Sequence, residues 1–114
     1  MINENTQYVF VTTDHLGRKV VLEKKTFYGH IVPGHPEMAG NELAIQESVE
    51  KPLFVIESKQ NSNVFLYVTQ SQKSTYPNLY IKTVVDHSTN VGFVKTSFFQ
   101  KNLQPGKEGK VIFP

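Results

Sequence analysis

Apolar and polar positions alternate over much of the chain in the pattern that is typical of β-strands. Runs rich in β-branched and aromatic residues recur, and turn-forming residues separate them. The predicted strands cover residues 8–13, 18–22, 53–56, 64–69, 79–85 and 91–99. In the fifth run, alternation places Ile81, Thr83 and Val85 on one sheet face. Tyr80 and Lys82 then lie on the opposite face. We expect the first face to be covered and the second to be an open, partly polar surface.

Two segments between the second and third strands have the spacing of helices. In residues 24–32 the apolar positions recur on one helical face, and the pair Pro33-Gly34 ends the segment. Asn41 suits the N-cap of a second helix, which stops before Pro52. The order of elements predicts an α+β domain. We expect a small antiparallel sheet of about four to six strands, with two short helices packed on one face.

Length and composition limit the classes of protein that the chain can belong to. Its 114 residues are the size of one domain, so a single domain over 1–114 is predicted, with a mobile end at 1–7. The tail 104–114 is either a second mobile end or a final edge strand over 110–113. There is no cysteine, which excludes disulfides, thiolate zinc sites and thiol nucleophiles. No long apolar run or secretory signal is present in the sequence, and we expect a cytoplasmic protein with no membrane partner.

The charges are unevenly distributed along the chain, although the net charge is only +2. Residues 37–57 contain five glutamates and the single Lys51, whereas four lysines follow residue 94 with only Glu108 to balance them. This separation permits a basic face that binds a polyanion such as RNA. On charge alone, solvated lysines on a slightly basic protein are the simpler interpretation.

Two histidines provide the strongest candidate for chemistry. His30 and His35 flank the Pro-Gly reversal, and Glu37 follows two residues later. A helix that ends near His30 and another that begins near His35 would bring both imidazoles to the same end of the helical layer. Imidazole transfers protons near neutral pH, and cleavage of RNA by its own 2′-hydroxyl needs one base and one acid. This reaction requires no metal or other cofactor. Glu37 is predicted to orient an imidazole.

Other polar side chains are candidates for contacts with the substrate. Lys82 and Thr96 are predicted to contact the phosphate, whose charge increases in the transition state. Ser97 and Lys95 lie beside Thr96 on the last long strand, and Tyr80 offers an aromatic ring to an unpaired base.

The histidines also have other interpretations, which remain open. His35 can cap a helix while His30 packs in the apolar layer. His30, His35 and Glu37 can also supply zinc ligands, although their spacing is not the i, i+4 arrangement of one helical face. His15 and His87 lie in turn sequences and are interpreted as ordinary solvated residues.

The order of these features resembles a phage and mobile-element nuclease group of the Barnase-EndoU-Colicin-RelE superfamily of RNase folds. The resembling segments are residues 17–22, 27–31, 34–38, 45–52, 79–85 and 92–98. The most specific of them is the His-x4-His-Pro-Glu string that starts at His30. The resemblance implies an antiparallel sheet with N-terminal helices and a metal-independent RNase site at His30, His35 and Thr96, supported by Glu37. Ser97 departs from the alanine that is usual in that group.

The resulting hypothesis is a metal-independent endoribonuclease of a toxin-like or mobile-element type. RNA is the expected partner, and an inhibitor or antitoxin protein is a second one. The alternative hypothesis is a non-catalytic module that binds a protein or RNA.

Overall fold

Seven strands form one sheet in the computed structural model, which describes residues 7–114. They are β1 (Tyr8–Thr13), β2 (Lys19–Glu23), β3 (Phe54–Ser58), β4 (Val64–Thr69), β5 (Tyr80–Asp86), β6 (Gly92–Gln100) and β7 (Gly109–Phe113). Their order across the sheet is β1-β2-β6-β5-β4-β3-β7. Neighbouring strands are antiparallel except β2 and β6, which pair in parallel over a short stretch. The α+β class is confirmed, but the predicted sheet was too small and its purely antiparallel character was wrong.

The extra strand and the parallel pair both come from contacts between distant parts of the chain. β7 adds to the far edge by pairing with β3, so the tail is an edge strand. Gly109 begins this strand where a Cβ atom would lie 1.9 Å from the backbone oxygen of Glu57, so only glycine fits without displacing the backbone. β2 and β6 are far apart in the sequence. They run parallel because pairing with β1 orients β2 and pairing with β5 orients β6. Of the predicted mobile end 1–7, residues 1–6 lie outside the described residues.

The two helices that the sequence predicts form where they are expected, and a short helix near the end of the described chain was not predicted. Three continuous turns, Lys24–Thr26, Phe27–Ile31 and Val32–Gly34, make up α1, and the middle one is a π-turn. A 3-10 turn (Pro36–Met38) leads to α2 (Glu42–Glu50), and a four-residue α3 (Pro105–Glu108) precedes β7. Asn41 precedes α2 as predicted, but its side chain binds elsewhere: the amide nitrogen donates to the backbone oxygen of Glu37 and to Thr75. Within residues 7–114, no helix has the length and apolar character needed to cross a bilayer.

One sheet face, here called the core face, carries the hydrophobic core. It is the face of Tyr67, Thr83 and Ser97, which are cross-strand partners on β4, β5 and β6. Its buried cluster comprises Phe10, Val20, Leu22, Phe27, Ile31, Met38, Ala44, Ile45, Val49, Val55, Tyr67, Ile81, Val85 and Val94. The predicted covering of Ile81 and Val85 is therefore confirmed, because residues of α1 and α2 belong to the same cluster.

The opposite face, here called the outer face, is less open than the alternation of β5 predicts. It carries Val68, Lys82 and Phe98, which are again cross-strand partners. Lys82 is only 2% exposed and forms an ion pair with Glu108 of α3. The expectation that Lys82 lies on an open surface was wrong. The connection from β6 to β7 must pass the three strands between them, and it brings α3 over this lysine.

Candidate functional site

A pocket of about 620 Å³ lies between the first half of α1 and the first half of β6. Its first wall contains Glu23, Thr26 and His30. Glu23 is the last residue of β2, whereas Thr26 and His30 belong to α1, so this wall is formed where the strand continues into the helix. The π-turn of α1 begins directly after Thr26 and includes His30, and such turns are common at functional sites. The imidazole of His30 is exposed to solvent and is not part of the core. The pocket is of the size that small ligands and single nucleotides occupy.

The base of the pocket is formed by four consecutive residues of β6, which are Phe93, Val94, Lys95 and Thr96. Adjacent residues of a regular strand face opposite sides of a sheet. Here, however, Val84 pairs with Thr96 and Val85 pairs with Val94, so Lys95 is the extra residue of a β-bulge. Bulges redirect side chains and are frequent next to active sites. The bulge therefore lies within the part of β6 that forms the base of the pocket.

The second wall is the turn between β5 and β6. Asp86, Ser88 and Thr89 line it, and the carboxylate of Asp86 accepts hydrogen bonds from the hydroxyl and the backbone nitrogen of Ser88. These hydrogen bonds lower the pKa of Asp86 below its usual value. The pocket therefore offers several hydroxyl groups beside an ionised carboxylate.

The charges of the pocket nearly cancel. Glu23 and Asp86 oppose Lys25 and Lys95, and the carboxylate of Glu23 lies 3.8 Å from the ammonium of Lys25. The formal charge of the pocket is therefore zero, with His30 counted as neutral.

His35 lies beside the pocket and does not line it. Its ring stacks on Phe98, with 5.2 Å between the ring centroids, and its Nδ1 atom lies 3.6 Å from the carboxylate of Glu37. The side chain of His35 is 38% exposed, so the imidazole is accessible. Phe98 and Thr96 are two residues apart on one face of β6, which places their Cα atoms about 7 Å apart along the strand.

Three predicted substrate contacts lie outside the pocket. Ser97 is fully buried on the core face, where its hydroxyl lies 3.0 Å from that of Thr83, so it is not accessible to a substrate in this structure. Lys82 is paired with Glu108, and burial lowers the pKa of its ammonium. Tyr80 is half-buried at the beginning of β5. His30, Lys95 and Thr96 are thus the predicted residues that come together.

The zinc alternative requires His30, His35 and Glu37 to converge. His35 and Glu37 are neighbours, but His30 lines the pocket without them. Throughout the part of the chain that the structure describes, no three His, Asp or Glu side chains form a group that could hold a metal ion.

A buried polar cluster on the core face was not predicted from the sequence. At its centre, the hydroxyl of Tyr67 lies 2.7 Å from Asp14 Oδ2, 3.1 Å from Arg18 Nη2 and 2.8 Å from His87 Nε2. Burial by itself would raise the pKa of Asp14, but hydrogen bonds from Tyr67 and Arg18 outweigh it and lower the pKa. Asp14 is therefore ionised and accepts a hydrogen bond from the Tyr67 hydroxyl. Both Arg18 and His87 then donate to the Tyr67 oxygen, which assigns the proton of neutral His87 to Nε2.

The interpretation of His15 and His87 as solvated turn residues was wrong. The side chain of His15 is 9% exposed, and its ring packs against Tyr67 and Phe113. His87 contacts Tyr67 and Phe65. Tyr67 is 53 residues from Asp14 and 20 from His87, so no local spacing in the sequence indicates the cluster.

These two histidines lead to a prediction about pH and stability. Burial lowers the pKa of both His15 and His87 below the ordinary value of 6.5, and the charge of Arg18 lowers them further. The unfolded chain therefore takes up protons first, so the free energy of unfolding is expected to fall as the pH drops below about 6.5. Urea unfolding of the protein at pH 7.5 and pH 5.5 measures this loss. His87→Gln should lose less stability than the wild type over that interval, and an equal loss would contradict the assignment.

Comparison of the chain with descriptions of protein families, with curated proteins and with solved structures gives no match.

Proposed function

We propose that the protein is a metal-independent endoribonuclease that acts at the pocket of His30, Lys95 and Thr96. The observation that carries this proposal is the meeting of an exposed imidazole with an ammonium group and a hydroxyl group in one pocket. The resemblance of the ordered sequence segments to the Barnase-EndoU-Colicin-RelE nucleases also supports the proposal.

The reaction requires two proton transfers and one site for the phosphate. The 2′-oxygen attacks the phosphorus and loses its proton to a base, while the bond from phosphorus to the 5′-oxygen breaks and an acid protonates that oxygen. The products are a 2′,3′-cyclic phosphate and a 5′-hydroxyl. His30 provides one of the two proton-transfer groups. Lys95 and Thr96 donate to the non-bridging oxygens, whose negative charge increases in the transition state.

Two residues compete for the second proton transfer. Glu23 lines the pocket at the end of β2, directly before the helix that carries His30, which makes its carboxylate one candidate for the base. His35 is the candidate that the sequence indicates. Its ring stacks on Phe98 beside the pocket, and Glu37 lies next to it. If Glu23 is the base, His35 contacts the RNA beyond the cleaved bond, where the rings of Phe98 and His35 offer stacking surfaces to an unpaired base.

The decisive experiment is incubation of the purified protein with tRNA and mRNA, with and without EDTA. We expect cleavage that persists in EDTA and leaves 2′,3′-cyclic phosphate ends. An oligonucleotide with a single ribonucleotide should be cut there, whereas its all-deoxy counterpart should remain intact because it lacks the attacking hydroxyl. Failure to cleave any RNA across a wide range of sequences would refute the nuclease.

A non-catalytic RNA-binding module is the second candidate, and the position of His35 outside the pocket favours it. Such a module binds RNA without cutting it. Lys95→Ala should then weaken binding, whereas His30→Ala should leave binding unchanged. An inhibitor protein belongs only to the nuclease proposal, since a binding module has no activity that needs inhibition.

A further inference from the structure

The turn between β5 and β6 contributes residues both to the pocket and to the buried polar cluster. Asp86, Ser88 and Thr89 line the pocket, whereas the ring of His87 contacts Tyr67 on the core face. The same short turn therefore contacts both the pocket and the cluster.

His87 is held in place from several directions. Its Nε2 atom lies 2.8 Å from the Tyr67 hydroxyl, and its backbone nitrogen donates to the backbone oxygen of Asn63 at 2.8 Å. Its ring lies 5.3 Å from the ring of Phe65, centroid to centroid. On the remaining side, a Cβ atom at Gly92 would lie 2.6 Å from His87 Cε1 and 2.8 Å from Nδ1. The ring thus occupies the space that any side chain at position 92 would need.

The Tyr67 hydroxyl is itself fixed, because its proton and both of its lone pairs are used. Asp14 accepts from it, and Arg18 and His87 donate to it. A fully satisfied buried network has one geometry, and departure from it leaves a polar group without a partner. The position of the His87 ring is therefore set by the β1–β2 hairpin and β4.

We propose that His87 is a positioning residue for the pocket. Its side chain connects the β5–β6 turn to the cluster of Tyr67, Asp14 and Arg18, and so holds the wall formed by Asp86 and its neighbours against β6. This inference rests on the proposed function for its substrate class, because the groups that it positions are those that would meet RNA.

The test compares His87→Ala with the conservative His87→Gln, whose amide nitrogen can still donate to the Tyr67 oxygen. His15→Ala is the matched control, because His15 also packs against Tyr67 while its hairpin turn does not line the pocket. Two quantities are measured: the backbone amide chemical shifts of residues 88–96 by NMR, and the Kd for a mixture of the four 3′-mononucleotides. If His87→Ala does not fold, His87→Asn replaces it, since its shorter amide does not reach Tyr67.

We expect His87→Ala to shift the amide signals of the turn and to raise the Kd about tenfold, a typical size for indirect coupling. His87→Gln should stay within about threefold of the wild type, and His15→Ala should change stability alone. Unchanged turn signals and Kd in His87→Ala would overturn the proposal, as would an equal effect of His15→Ala. If the wild type binds no mononucleotide, the amide shifts alone decide whether His87 positions the turn, and the RNA-cleavage experiment still decides the proposed function.

Discussion

Replacement of His30 by alanine is expected to lower the rate of RNA cleavage by about 100- to 10,000-fold, the usual contribution of a general acid or base. His30 is the imidazole that lines the pocket in the described part of the chain, and His35 is stacked on Phe98 outside it. Because the His30 side chain is exposed, its removal should leave the fold intact. Initial rates on an oligonucleotide with one cleavage site measure the effect, and circular dichroism verifies the fold.

The partner of His30 in proton transfer is identified by two further variants. Loss of activity in Glu23→Gln together with modest loss in His35→Ala assigns the second transfer to the carboxylate, and the reverse result assigns it to His35. Lys110→Ala is the control, because it removes a lysine that does not line the pocket. Cleavage at the wild-type rate by His30→Ala would contradict the proposed chemistry, because the proton-transfer groups would then lie elsewhere.

Replacement of Glu108 by alanine is expected to lower the free energy of unfolding by about 3 kcal/mol, at the lower end of the cost of breaking a buried ion pair. The side chain of Lys82 is 3% exposed, and Glu108 is its ion-pair partner among the described residues. Its ammonium also lies 5.6 Å from the centre of the Phe98 ring. Without Glu108 the charge of Lys82 would remain in a site with little water. Burial already lowers the pKa of Lys82, so loss of its proton limits the cost.

Urea unfolding of four proteins tests this interpretation: the wild type, Glu108→Ala, Lys107→Ala and the double variant Lys82→Met/Glu108→Leu. Lys107 is exposed on the same helical turn, so its variant should change stability by less than about 0.5 kcal/mol. The double variant should regain most of the loss, because apolar side chains of similar size remove the unpaired charge. If Glu108→Ala were as stable as Lys107→Ala, the ion pair would not contribute to stability.

Most elements of the fold are predictable because their signals are local. Each of the six strands expected from alternation lies within two residues of its predicted bounds. The helical spacing before Pro33 and the position of Asn41 before α2 are equally local signals. The covered side of β5 was also predictable, since Ile81 and Val85 must be buried together wherever the strand is placed in a sheet.

The errors arose where contacts between distant residues decide the result. The alternation along β5 predicts that Lys82 is exposed, but α3 lies over the outer face and its Glu108 pairs with this lysine. The residues next to His87 in the sequence predict a solvated turn, but the contact with the distant Tyr67 makes His87 part of the polar cluster. Lys95 is the extra residue of a bulge at the base of the pocket, and a one-residue difference between β5 and β6, which no period of two can indicate, creates that bulge.

The amino-acid sequence alone determines the α+β class, the order of the first six strands and of the two helices between them, the lack of cysteine, and the choice of His30, Lys95 and Thr96 as candidate site residues. Side-chain periodicity and backbone preference act over a few residues, so they can be recognised in the sequence. The tertiary structure alone decides that these three residues meet while His35 stands beside them, and that Lys82 and His87 are partly or fully enclosed. Burial and polar partnership depend on which distant strands and turns come together, and a single sequence contains no direct signal for those contacts.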